Sequence, residues 1–214
     1  LLAVYLAVAW TFHNSWGYYG TRELPRFADP WIARTETILG GQLLYRDVFT
    51  TTPPLTNYLL IPPSLAAIGS GLVNPWATLA FMVYFALFNL PTALLLLHMG
   101  ASRRRGSLAA AGFLLNPLTL GSAVLRRQDE SILVFFFALA LFFMLRRSHL
   151  RAAAAIGLTV LTKLTGALLV PLAFLHSRDW RYLVIPLVVF ALVMAPFFAL
   201  AGRDAMFWDV TKGG

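Results

Sequence analysis

The chain alternates long apolar runs with short clusters of arginine, and this alternation limits what it can fold into. Residues 76–99 and 182–200 each hold roughly the 20 apolar residues a membrane-spanning helix needs. Residues 131–145 are as apolar but shorter. Residues 107–125 are a thinner crossing, punctuated by glycine and proline. Residues 152–175 are apolar except for Lys163 near their centre. Between the runs stand Arg103, Arg104 and Arg105, then Arg146, Arg147 and Arg151, then Arg178 and Arg181.

Charged residues make up 12% of the chain and hydrophobic ones 59%, with a mean hydropathy of +0.72. A soluble domain carries about 25% charged residues, so this surface cannot be clothed for water. An ordinary soluble enzyme, a disordered chain and a nucleic-acid module are thereby excluded. The net charge of +8 is a topological signal and not a nucleic-acid patch, because the cations sit between apolar runs. There is no cysteine, hence no disulfide framework, thiolate-bound zinc or thiol chemistry.

The positive-inside rule orients the chain. With the three arginine clusters in the cytoplasm, that side holds eight arginines and one acid, Asp179. The other eight acids (Glu23, Asp29, Glu36, Asp47, Asp129, Glu130, Asp204 and Asp209) fall outside. The opening run 1–12 is too short to cross and reads as a span whose start precedes Leu1, in a single transmembrane domain (1–214) cut from a longer protein. Residues 13–63 then form a long extracytoplasmic loop with interfacial helices. Within it, Asp29 as N-cap, Pro30 at the first helical position and the stop Gly40-Gly41 predict a helix over 30–39. A second short helix starts at Pro53-Pro54 and breaks at Pro62-Pro63.

Residues 152–175 admit two readings. One crossing would put the flanking basic clusters on opposite sides. Two half-spans turning near Lys163 would keep both on the same side. The expected fold is therefore an all-α polytopic membrane bundle of about five spans plus a pair of half-spans.

The candidate chemistry lies outside. Asp29 and Asp129, with its neighbour Glu130, are carboxylates at the membrane surface, able to act as a base towards an acceptor hydroxyl. Arg46, Arg126, Arg127 and Lys163 are cations able to hold a phosphate. The bland alternative is that Asp29 caps its helix and the loop acids are merely solvated. An ionisable residue inside an apolar segment, as Lys163 is, marks function unless it snorkels to an interface. The histidines His13, His98, His149 and His176 lie scattered at span ends, and none pairs at i, i+4, so no metal site is expected. No nucleotide-binding loop, dinucleotide fingerprint or nucleophile elbow is present.

The segment Leu39-Gly40-Gly41-Gln42-Leu43-Leu44-Tyr45-Arg46-Asp47, followed by Pro53-Pro54-Leu55, resembles the polytopic C-type glycosyltransferases. The likeness is to the protein O-mannosyltransferase and aminoarabinose-transferase group, glycosyltransferase family 39-like. Gln128-Asp129 heading a span, and Gly157-Leu158 leading through Leu161-Thr162-Lys163 to Pro171, agree in order. The resemblance implies a polyprenyl- or dolichyl-phosphate sugar donor, an extracytoplasmic active site in a prokaryotic plasma membrane, Asp29 as base and Asp129 close by. Many such proteins place lysine just before Pro-Pro-Leu to meet the donor phosphate, whereas Thr52 stands there here. Some use a divalent metal, for which one acid per site makes no case. The partners expected are the lipid-linked sugar and membrane lipids, with no nucleic acid. A small-solute or lipid transporter lined by Lys163, and a non-catalytic scaffold, are the alternatives from other classes.

Overall fold

A computed structural model describes residues 2–16, 30–48, 50–72, 76–120 and 129–201. Among them there is no strand, only an isolated bridge between Leu44 and Val48. The helices are α1 (Leu2–Trp16), α2 (Pro30–Leu39), α3 (Pro54–Leu59), α4 (Ile61–Gly69), α5 (Trp76–Met99), α6 (Arg103–Leu114), α7 (Pro117–Leu120), α8 (Glu130–Leu145) and α9 (His149–Thr162). A 3₁₀ segment, Leu164–Leu168, then leads to α10 (Leu169–Ser177), and α11 (Arg181–Ala201) closes the described chain.

The helix expected over 30–39 is found with those bounds. Two expectations are refined. The helix that starts at Pro54 does end ahead of Pro62, at Leu59, and Pro62 and Pro63 then lie in the first turn of a new helix, α4, where a missing N–H costs nothing. Arg103, Arg104 and Arg105 form the first turn of α6, capped by Ser102, whose hydroxyl accepts from the Arg105 amide at 3.3 Å. The thin crossing at 107–125 is divided after Leu114, with Asn116-Pro117 starting α7.

Among the described residues, α5 and α11 alone are long and apolar enough to cross a membrane by themselves; α8 and α9 are shorter apolar helices. In α11 only 17% of the most apolar window is buried, and Leu187, Leu192 and Leu200 stand exposed. An apolar helix with its apolar side chains outward is made for lipid and not for water. In that solvent, burial of apolar area drives little association, and close backbone packing takes over. Helix α9 supplies it with Ala152, Ala153, Ala155 and Gly157, all buried. A Cβ on Gly157 would meet the Val189 side chain of α11 at 3.0 Å.

The chain reverses at Lys163. This residue is extended (φ −152°, ψ 130°), and the 3₁₀ segment folds back so tightly that a Cβ on Gly166 would lie 2.7 Å from the Thr159 backbone. Ala173 of α10 consequently packs with the alanines of α9. Of the two readings of 152–175, the one that turns near Lys163 matches this reversal. The start of α9 and the start of α11 meet at the other end. There His149 Nδ1 lies 3.1 Å from the buried Tyr182 hydroxyl and 3.7 Å from Asp179. Two of the arginine clusters thus share one end of the bundle, while Glu130 and Lys163 share the opposite end.

Candidate active site

The site is assembled at the end away from those arginines, by a loop, three helix termini and the turn at Lys163. The loop between α2 and α3 is braced internally. Asp47 accepts from the Leu43 amide at 2.8 Å and holds Arg46 through two hydrogen bonds of 2.9 and 2.7 Å. Tyr45 adopts a left-handed backbone (φ 72°), and its hydroxyl donates to the Thr52 carbonyl at 2.8 Å. The Asn57 amide donates to the carbonyls of Thr52 and Pro53, each at 3.1 Å. Leu44 and Tyr45 pack on Met194 and Phe197 of α11, with Tyr45 edge-on to Phe197 at 5.5 Å. The Tyr-Arg-Asp motif therefore shapes the loop that presents Thr51, Thr52 and Pro53.

Helix α3 docks on the turn. Buried Thr56 donates to the Thr162 carbonyl at 2.8 Å, satisfying an acceptor that α9 loses where it ends. The Tyr84 hydroxyl of α5 donates to the Leu59 carbonyl at the other end of α3.

Between these elements lies a cavity of about 350 Å³, lined by Trp31, Arg34, Thr52, Asp129, Glu130 and Lys163 together with Thr51, Pro53, Leu164 and Thr165. Lys163 Nζ is 2.8 Å from Glu130 Oε1 and 3.6 Å from Asp129 Oδ1. Asp129, nearly buried, precedes α8, and burial raises its pKa above the ordinary carboxylate range. Lys163 pulls the other way, and Glu130 adds to the rise. Arg34 lies over the Trp31 ring at 5.0 Å and donates to Thr52 Oγ1 and Asn57 Oδ1, both at 3.3 Å. Among the described residues no carboxylate lies within ion-pair distance of it. Burial lowers its pKa, and Asp129 followed by Tyr45 opposes this.

The structure thus brings Asp129, Glu130 and Lys163 together. Asp29, Arg126 and Arg127 lie outside the described residues. Arg46 is exposed, bound to Asp47, and does not line the cavity; Asp47 is held down to about 2, first by Arg46 and then by the Leu43 amide. Arg34 was not anticipated. Its one sequence signal is its spacing from Trp31, one helical turn along an amphipathic helix. Among the described residues no three His, Asp or Glu side chains gather as metal donors.

A second hollow, of about 410 Å³ and apolar, lies between the 3₁₀ segment, α10 and α11. Leu164 lines both hollows, so the charged cavity borders directly on lipid-facing apolar surface.

By family the chain is a glycosyltransferase. Residues 49–208, well over half of its length, match glycosyltransferase family 87, and the chain belongs to that family. No curated protein and no solved structure matches it. The matched region takes in Thr52, Asp129, Glu130 and Lys163, while Asp29 and Arg34 precede it.

Proposed function

We propose that the chain moves a sugar from a polyprenyl- or dolichyl-phosphate donor to an acceptor hydroxyl on the extracytoplasmic face of a prokaryotic plasma membrane. The observation that carries this reading is one cavity with two cations beside two carboxylates, bordered at Leu164 by an apolar groove. A lipid phosphate has the matching parts: an anionic head for Arg34 and Lys163, and a tail for the groove beside Leu164. The arginine clusters at the far end support the orientation through the positive-inside rule.

In this reading a carboxylate takes the acceptor proton as the acceptor oxygen bonds to the anomeric carbon. The bond from that carbon to the phosphate oxygen breaks, and the lipid phosphate leaves with the electron pair. The developing charge is met by Arg34 and by Lys163, which must loosen its hold on Glu130. Asp29 is the first choice of base, because it immediately precedes the helix whose Trp31 and Arg34 line the cavity. Asp129, kept partly desolvated, is the second carboxylate at the reacting centre. The narrower likeness to the O-mannosyltransferase and aminoarabinose-transferase group belongs to this proposal, as does the C-type architecture. The half-spans would suit a transporter too, but no internal repeat accompanies them.

The test is transfer of label from a panel of polyprenyl-phosphate sugars in membranes holding the whole protein or its Asp29→Asn variant. Transfer lost in the variant at equal expression supports donor and base together. Transfer that survives moves the base to Asp129 or Glu130. No transfer with any donor removes the proposal.

A further inference from the structure

Glu130 is a wall shared by two cavities. On its far side from Lys163 lies a smaller one of about 200 Å³, whose polar lining is Asn89, Thr119, Glu130 and Ser131 and whose apolar lining includes Phe113 and Leu118. Asn89 sits in the middle of α5, fully buried. Its Nδ2 donates to the Tyr5 hydroxyl of α1 at 2.8 Å, while its Oδ1 is buried with no partner. Whichever way the amide is turned, one of its two polar atoms is left over. Glu130 repeats the pattern: Oε1 binds Lys163, and Oε2 is buried with no partner. Two orphaned polar atoms beside one cavity are unusual, because buried polar groups are nearly always satisfied. The cavity is several times the ~30 Å³ share of one water. What it fits is a compact group with hydroxyls to donate and an apolar face to lay on Phe113.

We infer that this cavity is the subsite for the sugar ring of the donor, with Asn89 reading one of its hydroxyls. The inference rests on the donor reading above and sharpens it. The phosphate stays with Arg34 and Lys163, the ring passes behind Glu130, and the anomeric carbon lies at the wall between them, beside Asp129. The smaller chamber, with Asn89, Thr119 and Ser131 beside Glu130, then selects among sugars, while the chamber that holds Arg34 and Lys163 accepts any lipid phosphate.

The experiment measures binding to the whole protein in lipid nanodiscs. The probes are citronellyl phosphate and citronellyl-phosphate mannose, glucose, galactose and arabinose. At least one sugar is expected to tighten binding about tenfold over bare citronellyl phosphate, the worth of one well-made hydrogen bond. Asn89→Ala should remove that gain while leaving the Kd of citronellyl phosphate within about twofold. Tyr5→Phe, which deletes only the structural partner of Asn89, should keep it. A deoxy series of the best sugar, measured on the unaltered protein, should show one position whose removal abolishes the gain, and this stands even if Asn89→Ala does not fold. Binding of citronellyl phosphate with no gain from any sugar, or a gain that persists in Asn89→Ala, overturns the subsite alone. Failure of citronellyl phosphate itself to bind overturns the donor reading with it.

Discussion

The two ends of the α8–α11 unit are built from similar groups to opposite purpose. At the arginine end, His149, Tyr182 and Asp179 meet directly and Arg181 reaches Asp179 at 3.9 Å, so the start of α9 is tied to the start of α11. At the other end, Arg34 meets no carboxylate among the described residues, and Glu130 and Asn89 each keep a buried atom unsatisfied. One end is closed, and the other stays open at a cost in stability. Polar groups left unsatisfied cost about 1–3 kcal/mol each. A fold that tolerates them at one end, and satisfies their counterparts at the other, separates its structural charges from its working ones.

That contrast can be broken experimentally, most forcefully at Asp129. Asp129→Asn should lower transfer by about 100-fold, the scale of a preorganised polar group lost from a reacting centre. The same change should leave the melting temperature unchanged or raised. Burial lifts the folded-state pKa of Asp129 above its unfolded value, so the folded chain holds the proton more tightly. Its stabilising contribution is full below the unfolded pKa and is lost as pH rises through the folded one. Any part of the acid limb of the transfer profile that titrates above the free-carboxylate value should disappear in the variant. A lowered melting temperature would mean that Asp129 is a structural charge after all.

Arg34→Gln comes next. Loss of a charge-assisted contact to phosphate, about 1.5–3 kcal/mol, should raise the donor KM by roughly 10- to 100-fold. An unchanged KM would return Arg34 to the loop it braces. Gly166→Ala should destabilise by about 1–3 kcal/mol, since the Thr159 backbone cannot give way. Thermal unfolding in nanodiscs reads this directly. Tyr182→Phe, at the closed end, should cost about 0.5–1.5 kcal/mol and leave the KM for the donor unaltered. A changed KM there would show that the two ends are coupled. The smallest effect belongs to Arg46→Gln, with transfer expected within about twofold of the parent, because its partner Asp47 is exposed beside it.

Much of this frame was legible in the sequence. Proline and two glycines bounded α2 to the residue, because helix ends are set by local backbone chemistry. The reversal at Lys163 was one of two readings, and the equal charge of its flanks pointed to it. Other features depended on packing. Spacing alone could not tell that Asp47, and not a phosphate, takes up Arg46. Nor could it tell that Arg34 turns inward, since on an amphipathic helix at an interface an arginine reads as a solvated one. Asn89 did carry a signal, as a lone amide inside an otherwise apolar run, but its orphaned atom appears only when α1, α5 and α8 are brought together.

The backbone carbonyl of Thr52 is gripped by Tyr45 and Asn57, and neither grip involves the Thr52 side chain. Its hydroxyl, free to be replaced, sits 3.3 Å from the Arg34 guanidinium. A lysine at position 52 and an arginine at position 34 would therefore deliver positive charge to the same volume from two different elements. Over evolutionary time such a cation can change its address in the chain without changing its place in space. A comparison that aligns sequences column by column would then score as lost a charge that has only moved.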